Sequence, residues 1–185
     1  MKYYSKLKET KISSSTLYKG VLDVKLDHVK LINGATSSRL YLYHLGASGV
    51  LPIEDDFVYL VQQYRYPIKK VTWEIPAGKR EKKQTFLMCA RTELKQETGL
   101  KARHLKEVLV FNPCNAFSTE ELHLYVATGL TRGEDCPDED EFLNVKKFPF
   151  SVAYEMVEQG KINDAKTFIM LQWWKLHQKS YNSKK

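Results

Sequence analysis

Glu93 and Glu97 stand four residues apart in the run from Thr85 to Glu97, where Phe86, Leu87, Ala90 and Leu94 recur at helical spacing and no proline interrupts. On such a helix, side chains four apart lie one above the other on a single stripe. Two carboxylates stacked that way repel, at a cost of roughly a few tenths of a kcal/mol to an isolated helix. A divalent cation between them removes that repulsion. Mg²⁺ suits the place because it takes carboxylate oxygens, keeps several waters and bridges readily to substrate phosphates. The chemistry these residues offer is therefore metal-assisted attack on a phosphoryl group. Taken alone, such a pair on a lysine-rich helix equally describes a solvated face, so the surrounding spacing has to decide.

The elements that must position the pair are legible in outline. Gly99 is a helix stop just past the run. Leu22, Val24 and Leu26 alternate, Val29 and Leu31 resume after Asp27-His28, and Asn33-Gly34 marks a turn before Arg39 to His44. These predict a small antiparallel amino-terminal sheet. Val50 to Ile53, Phe57 to Tyr64, Val71 to Ile75, Leu105 to Phe111, Glu121 to Ala127 and Phe142 to Phe148 are further strands. Ser151 to Gln159 reads as a helix stopped at Gly160, and Asn163 to His177 as a second, with Ala165, Phe168, Ile169, Trp173 and Leu176 on its apolar stripe. Strands around a central helix, closed by helices at the carboxy-terminal side, predict an α/β sandwich.

At 185 residues and 43% apolar content the chain can bury a sizeable core. No long apolar run suggests a membrane span, and no charged-then-apolar leader opens the sequence, which points to the cytoplasm. The three cysteines, Cys89, Cys114 and Cys136, are odd in number and lack Cys-x-x-Cys spacing, against both a disulfide framework and a structural zinc site. The net charge of +7 gathers at Lys2, Lys6, Lys8 and Lys11, in the loop Lys79, Arg80, Lys82 and Lys83, and at Lys179, Lys184 and Lys185. Terminal clusters of this kind read as solvated surface more than as a nucleic-acid site, while the loop after Gly78 can draw in a small anion.

Gly78 to Leu100, with Glu93, Glu97 and Gly99 at fixed offsets, resembles the signature box of the Nudix hydrolases, which cut a diphosphate attached to another moiety. Three letters differ from that pattern: its first glutamate is Gln84, its arginine is Thr92, and the first of its paired glutamates is Gln96. Gln62-Gln63-Tyr64-Arg65 and Glu74-Ile75-Pro76-Ala77-Gly78 are similar to the ADP-ribose pyrophosphatase branch, as are His44-Leu45-Gly46-Ala47, the acidic run Asp138-Glu139-Asp140-Glu141 and Gly160-Lys161-Ile162-Asn163-Asp164-Ala165-Lys166-Thr167. The branch's Ser-Pro-Gly appears as Cys114-Asn115-Ala116.

The resemblance implies a Nudix fold, an α/β/α sandwich with a mixed sheet, spanning residues 46–178. It would be preceded by an amino-terminal β subdomain at 1–45 that forms a homodimer, and followed by a basic tail at 179–185. It implies Mg²⁺, with Mn²⁺ as a substitute, held by Glu93, Glu97, Gln96 and the carbonyl of Ala77, with Glu97 essential to catalysis and Glu139 or Glu141 as the base. Arg39, Arg65 and Glu120 would contact substrate. The implied activity is metal-dependent hydrolysis of a nucleoside diphosphate sugar, ADP-ribose first, to a nucleoside monophosphate and a sugar phosphate. Because Gln84 and Gln96 each lack a negative charge, the alternatives are a weak or silent nucleotide-binding protein and a hydrolase of another nucleoside diphosphate derivative, capped RNA included.

Overall fold

The structure is a computed structural model describing residues 7–133 and 143–182. In chain order it forms strands β1 (Thr10–Tyr18), β2 (Asp23–Lys30), β3 (Thr36–Tyr43), β4 (Ala47–Glu54), β5 (Phe57–Arg65), β6 (Lys70–Glu74) and β7 (Ala77–Lys79). Helix α1 (Phe86–Thr98) follows, then β8 (Leu100–Phe111), β9 (Leu122–Arg132), β10 (Asn144–Pro149), α2 (Phe150–Glu158) and α3 (Ala165–Asn182). The chain folds as two compact units. One runs to Leu45 and includes Asn112–Glu121; the other holds Gly46–Phe111 and the chain from Leu122.

In the first unit β1, β2 and β3 pair antiparallel in that order. Strand β1 escapes the sequence pattern, since all nine of its residues are exposed and its Ser13-Ser14-Ser15 core shows no apolar alternation. Backbone pairing to β2 makes it a strand. The break expected at Asp27-His28 is absent, because neighbouring strands satisfy both side chains. Ser14 Oγ and Tyr41 Oη donate to Asp27 at 2.5 and 3.2 Å, and Ser38 Oγ lies 3.2 Å from His28 Nδ1. Asn112–Glu121 joins this unit through backbone bonds: Leu42 N–H donates to Phe117 O at 2.8 Å and Thr119 N–H to Leu42 O at 3.0 Å. The first unit thus takes in a segment that returns much later in the chain.

In the second unit the sheet order is β10-β5-β4-β9-β8, with β6 on β5 and β7 on β4. Only β4 and β9 run parallel; the other pairs are antiparallel. Strand β4 is buried from Ala47 to Ile53, the near-continuous apolar run expected of a central strand covered on both faces. Alternation sorts the core into two layers. Val50, Tyr125 and Ala127 pack with Ala90 and Leu94 of α1. Leu51, Leu124 and Val126 pack with Ala153, Val157, Met170, Leu171 and Trp174 of α2 and α3. The unit is thus an α/β/α sandwich, and each fully buried Leu or Val in it contributes roughly 1.5–3 kcal/mol.

Both α1 and α3 turn differently from expectation. Leu87 is 40% exposed and Cys89 takes its place in the core. In α3 the buried stripe is Thr167, Met170, Leu171 and Trp174, while Phe168 and Leu176 face solvent, Leu176 at 76% exposure. Both stripes satisfy the 3.6-residue period, so periodicity cannot choose between them; packing against β4 and β6 does. Helix α3 also runs through Lys179 to Asn182, taking up the first four residues of the expected tail. Among the described residues no helix is long and apolar enough to cross a membrane.

Candidate functional site

Helix α1 begins where the Thr85 hydroxyl accepts the Met88 N–H at 3.1 Å, and it ends where Gly99, at φ 66°, sends its N–H to Lys95 O. Its first turn is held to the sheet. Ser48 Oγ donates to Phe86 O at 2.8 Å, the Phe86 ring stacks on His123 with centroids 3.5 Å apart, and the Arg80 guanidinium lies 4.8 Å from the centroid of the same Phe86 ring. That anchoring turns Glu93 and Glu97 toward β7.

The two carboxylates meet neighbouring residues of β7. Glu97, only 5% exposed, accepts the Ala77 N–H on Oε2 at 2.9 Å. Glu93 lies against Gly78 so closely that a Cβ there would stand 2.3 Å from its Cδ and Oε2. Glycine at 78 is what lets the Glu93 carboxylate occupy that place. Beside them Cys89 is a neutral thiol: burial pushes it up to about 11, with the Ser48 hydroxyl opposing and the Glu93 charge adding. A thiol so held is no nucleophile.

The donor chemistry fits a hard cation. Two carboxylates against the Ala77-Gly78 backbone offer oxygen donors of the kind Mg²⁺ accepts when water and phosphate complete its shell. Among the described residues no group of three or more His, Cys, Asp and Glu side chains gathers as a metal cluster. Gln96 and Glu97 line a cavity of about 360 Å³ whose other walls include Tyr59, Arg132 and Lys147.

Gln84 and Thr92, two of the departures from the box, touch each other: Gln84 Nε2 donates to Thr92 Oγ1 at 3.4 Å, while its Oε1 accepts the Glu81 N–H at 3.0 Å. Gln96, the third departure, lies on the cavity wall.

Arg65 is engaged within its own unit. Its Nε and Nη2 donate to the two oxygens of Glu74 at 2.8 and 2.6 Å, with 41% of the side chain exposed, and the charge of Glu97 also reaches it. Glu74 is buried and takes further bonds from Thr72 Oγ1 at 2.5 Å and from Lys166 Nζ. Burial opposes its ionisation, but the Arg65 hydrogen bonds, the Lys166 charge and the Thr72 bond outweigh it and bring the carboxyl to about 2. Glu74, Lys166, Asp164 and Thr167 are not among the expected site residues. Their signal lies in the Glu74–Gly78 and Gly160–Thr167 strings, whose side chains carry charge without an evident partner in sequence.

The structure gathers Ala77, Glu93, Gln96, Glu97 and Arg65 in the second unit. Arg39 and Glu120 belong to the first. There Arg39 donates to Glu9 from Nε and Nη2 at 2.9 and 2.5 Å, and to Ser37 and Ser38 from Nη1. Glu120 offers its N–H to Ser118 Oγ and its carbonyl to Asn112. Glu139 and Glu141 lie outside the described residues.

Residues 42–171 match the NUDIX domain family. The chain is 35% identical over 174 residues to the methanol dehydrogenase activator of Bacillus methanolicus, covering 92% of this chain and 94% of that one. It is 34% identical over 174 residues, with the same coverage, to the ADP-ribose pyrophosphatase of Bacillus subtilis strain 168. A solved structure described as an ADP compounds hydrolase superposes with a TM-score of 0.79 at 20% identity, over 91% of this chain and 95% of its own, a likeness of fold.

Proposed function

We propose that this chain, which belongs to the NUDIX domain family, hydrolyses the diphosphate bond of a nucleoside diphosphate sugar, ADP-ribose first among them, to a nucleoside monophosphate and a sugar phosphate. The observation that carries the reading is the meeting of Glu97 and Glu93 on the Ala77-Gly78 backbone. The 34% identical ADP-ribose pyrophosphatase supports the substrate class.

Glu93, Glu97 and the Ala77 carbonyl would hold Mg²⁺, with Mn²⁺ as a substitute and Gln96 as a neutral oxygen donor nearby. The bound ion supplies charge neutralisation at the diphosphate and lowers the pKa of a coordinated water. The chain's own residues do the rest. Arg65, fixed by two bonds to Glu74, presents the remaining edge of its guanidinium to a phosphate oxygen. Arg132 places positive charge on the cavity that Glu97 lines, beside Lys147, which is ion-paired with Glu54. Glu139 or Glu141 takes the proton of the attacking water as its oxygen bonds to phosphorus and the bridging P–O bond breaks, the electron pair leaving with the departing phosphate. The apolar side chains of Ile12, Leu17, Leu40 and Tyr43, exposed on the three-stranded sheet, support a homodimer through that unit. The free thiols Cys89 and Cys114 suit a cytoplasmic setting.

The test is a panel of ADP-ribose, other nucleotide sugars, diadenosine compounds and capped RNA, each with Mg²⁺ and with Mn²⁺. Turnover of ADP-ribose with release of AMP is the expected result. No turnover of any member, together with a raised Tm in ADP-ribose, would replace the hydrolase by a nucleotide-binding protein.

A second reading is favoured by the relative named a methanol dehydrogenase activator: the chain acts on a methanol dehydrogenase. Adding the purified protein to a methanol dehydrogenase and finding no change in its rate removes that reading.

A further inference from the structure

Four consecutive residues, Glu74 to Ala77, run from β6, paired with β5, to β7, paired with β4, and each is fastened by a neighbouring element of the second unit. Glu74 is held by Arg65 of β5, Thr72 of β6 and Lys166 of α3. The Ile75 N–H donates to Thr167 Oγ1 at 2.8 Å, the Pro76 carbonyl accepts the Val50 N–H at 2.9 Å, and the Ala77 N–H donates to Glu97 at 2.9 Å. Pro76 fixes its own φ, so a shift at Ile75 has little slack to dissipate in before it reaches Ala77.

The start of α3 holds more than a helix cap requires. Asp164 caps the helix in the ordinary way, its Oδ2 accepting the Thr167 N–H at 3.0 Å. The same oxygen also takes the Thr167 hydroxyl proton at 2.6 Å. A hydroxyl has one proton to give. With that proton committed to Asp164, the oxygen's lone pairs face the Ile75 N–H. Lys166 meanwhile bridges Asp164 Oδ1, at 2.9 Å, to Glu74. Capping alone needs neither the Thr167 hydroxyl nor the Lys166 amine; holding the Glu74–Ala77 strap needs both.

We propose that Asp164, Lys166 and Thr167 are positioning residues of the hydrolytic site, which set the Ala77 backbone and through it the Glu97 carboxylate from the far side of the sheet. The assignment rests on the hydrolase reading for its catalytic consequence. A displacement of about 1 Å in such a site is enough to cost on the order of a hundredfold in rate, so loosening the strap lowers turnover without removing any group that touches substrate.

Thr167→Val keeps the side chain's shape and removes its hydroxyl, Thr167→Ser restores the hydroxyl, and Lys166→Gln breaks the bridge to Glu74. Each is assayed for kcat and KM with ADP-ribose and Mg²⁺, and for Mn²⁺ affinity by electron paramagnetic resonance of the free ion. The expected result is a kcat about tenfold lower or more and weaker Mn²⁺ binding in T167V, an unchanged KM, and recovery of both in T167S. Native kcat and native Mn²⁺ affinity in folded T167V, with the loss confined to Tm, overturns the proposal. If T167V does not fold, K166Q decides on the same two readouts. A wild-type protein that leaves ADP-ribose intact defeats the hydrolase reading, while the Mn²⁺ comparison still settles the positioning role.

Discussion

Gln84 and Thr92 are hydrogen-bonded partners, Nε2 to Oγ1 at 3.4 Å, so two of the three departures from the box form one neutral pair. Glutamate and arginine at these places would form an ion pair. Restoring one charge alone therefore leaves it without its counter-charge. Gln84→Glu and Thr92→Arg should each lower stability slightly, and the double variant should recover it. The expected coupling is about 0.2–1 kcal/mol at so exposed a site. A double-mutant cycle from denaturant unfolding measures it, and strict additivity would show that the two positions do not act together.

Glu97→Gln tests charge separately from geometry. The amide oxygen can still accept the Ala77 N–H that the carboxylate accepts now, so the fold should survive with a change in stability of about 1 kcal/mol or less. Metal-dependent turnover should fall at least a hundredfold, because the negative charge that draws the cation is gone. Turnover at the wild-type rate would place the chemistry elsewhere. Gln96→Glu is the converse change: it adds charge to the wall of the same cavity and should raise turnover or shift the preference between Mg²⁺ and Mn²⁺.

Gly78→Ala should separate activity from stability. Its Cβ would stand 2.3–2.5 Å from three atoms of the Glu93 carboxyl group, the far end of a flexible side chain. The side chain can move away at little cost to the fold, but it then leaves the Ala77-Gly78 backbone. We expect a Tm within a few degrees of wild type and a loss of turnover comparable to that of Glu93→Gln, measured side by side. Full activity in the alanine variant would mean that the observed place of Glu93 is not needed.

The Glu74 network gives a pH dependence with a definite sign. Its carboxyl is brought from an ordinary value of 4.5 to about 2 in the folded protein, so the folded state favours the ionised form. That contribution is fully present above the unfolded pKa and is lost as pH falls through the folded one, a window from about 4.5 down to about 2. Its size is on the order of 3 kcal/mol. Glu74→Gln should flatten the acid limb of the stability curve in this window, as read from urea midpoints between the two pH values. An unchanged acid limb would show that other carboxyls govern it.

The chain's local order can be read from its residues because it depends on neighbours. Thr85, the helical spacing that follows and Gly99 specify α1 within one residue at each end, and four positions of separation place Glu93 and Glu97 on one stripe. Even there periodicity leaves a choice open: the spacing puts Leu87 inside, where Cys89 packs, and α3 buries Met170 and Trp174 instead of Phe168 and Leu176. An apolar helix offers more than one stripe, and only the surface it meets selects among them. Strand β1 carries no signal at all, since its pairing with β2 supplies the order that its side chains do not.

The amino-acid sequence by itself determined most of the elements, the two stacked acids and the glycine that admits one of them. Tertiary structure decided what those groups touch. Glu97 meets Ala77 across 20 positions and Thr167 meets Ile75 across 92, separations at which neither propensity nor period carries information. The passage from β6 to β7 brings these groups together, because a buried N–H or carboxylate must find its partner wherever the topology supplies one.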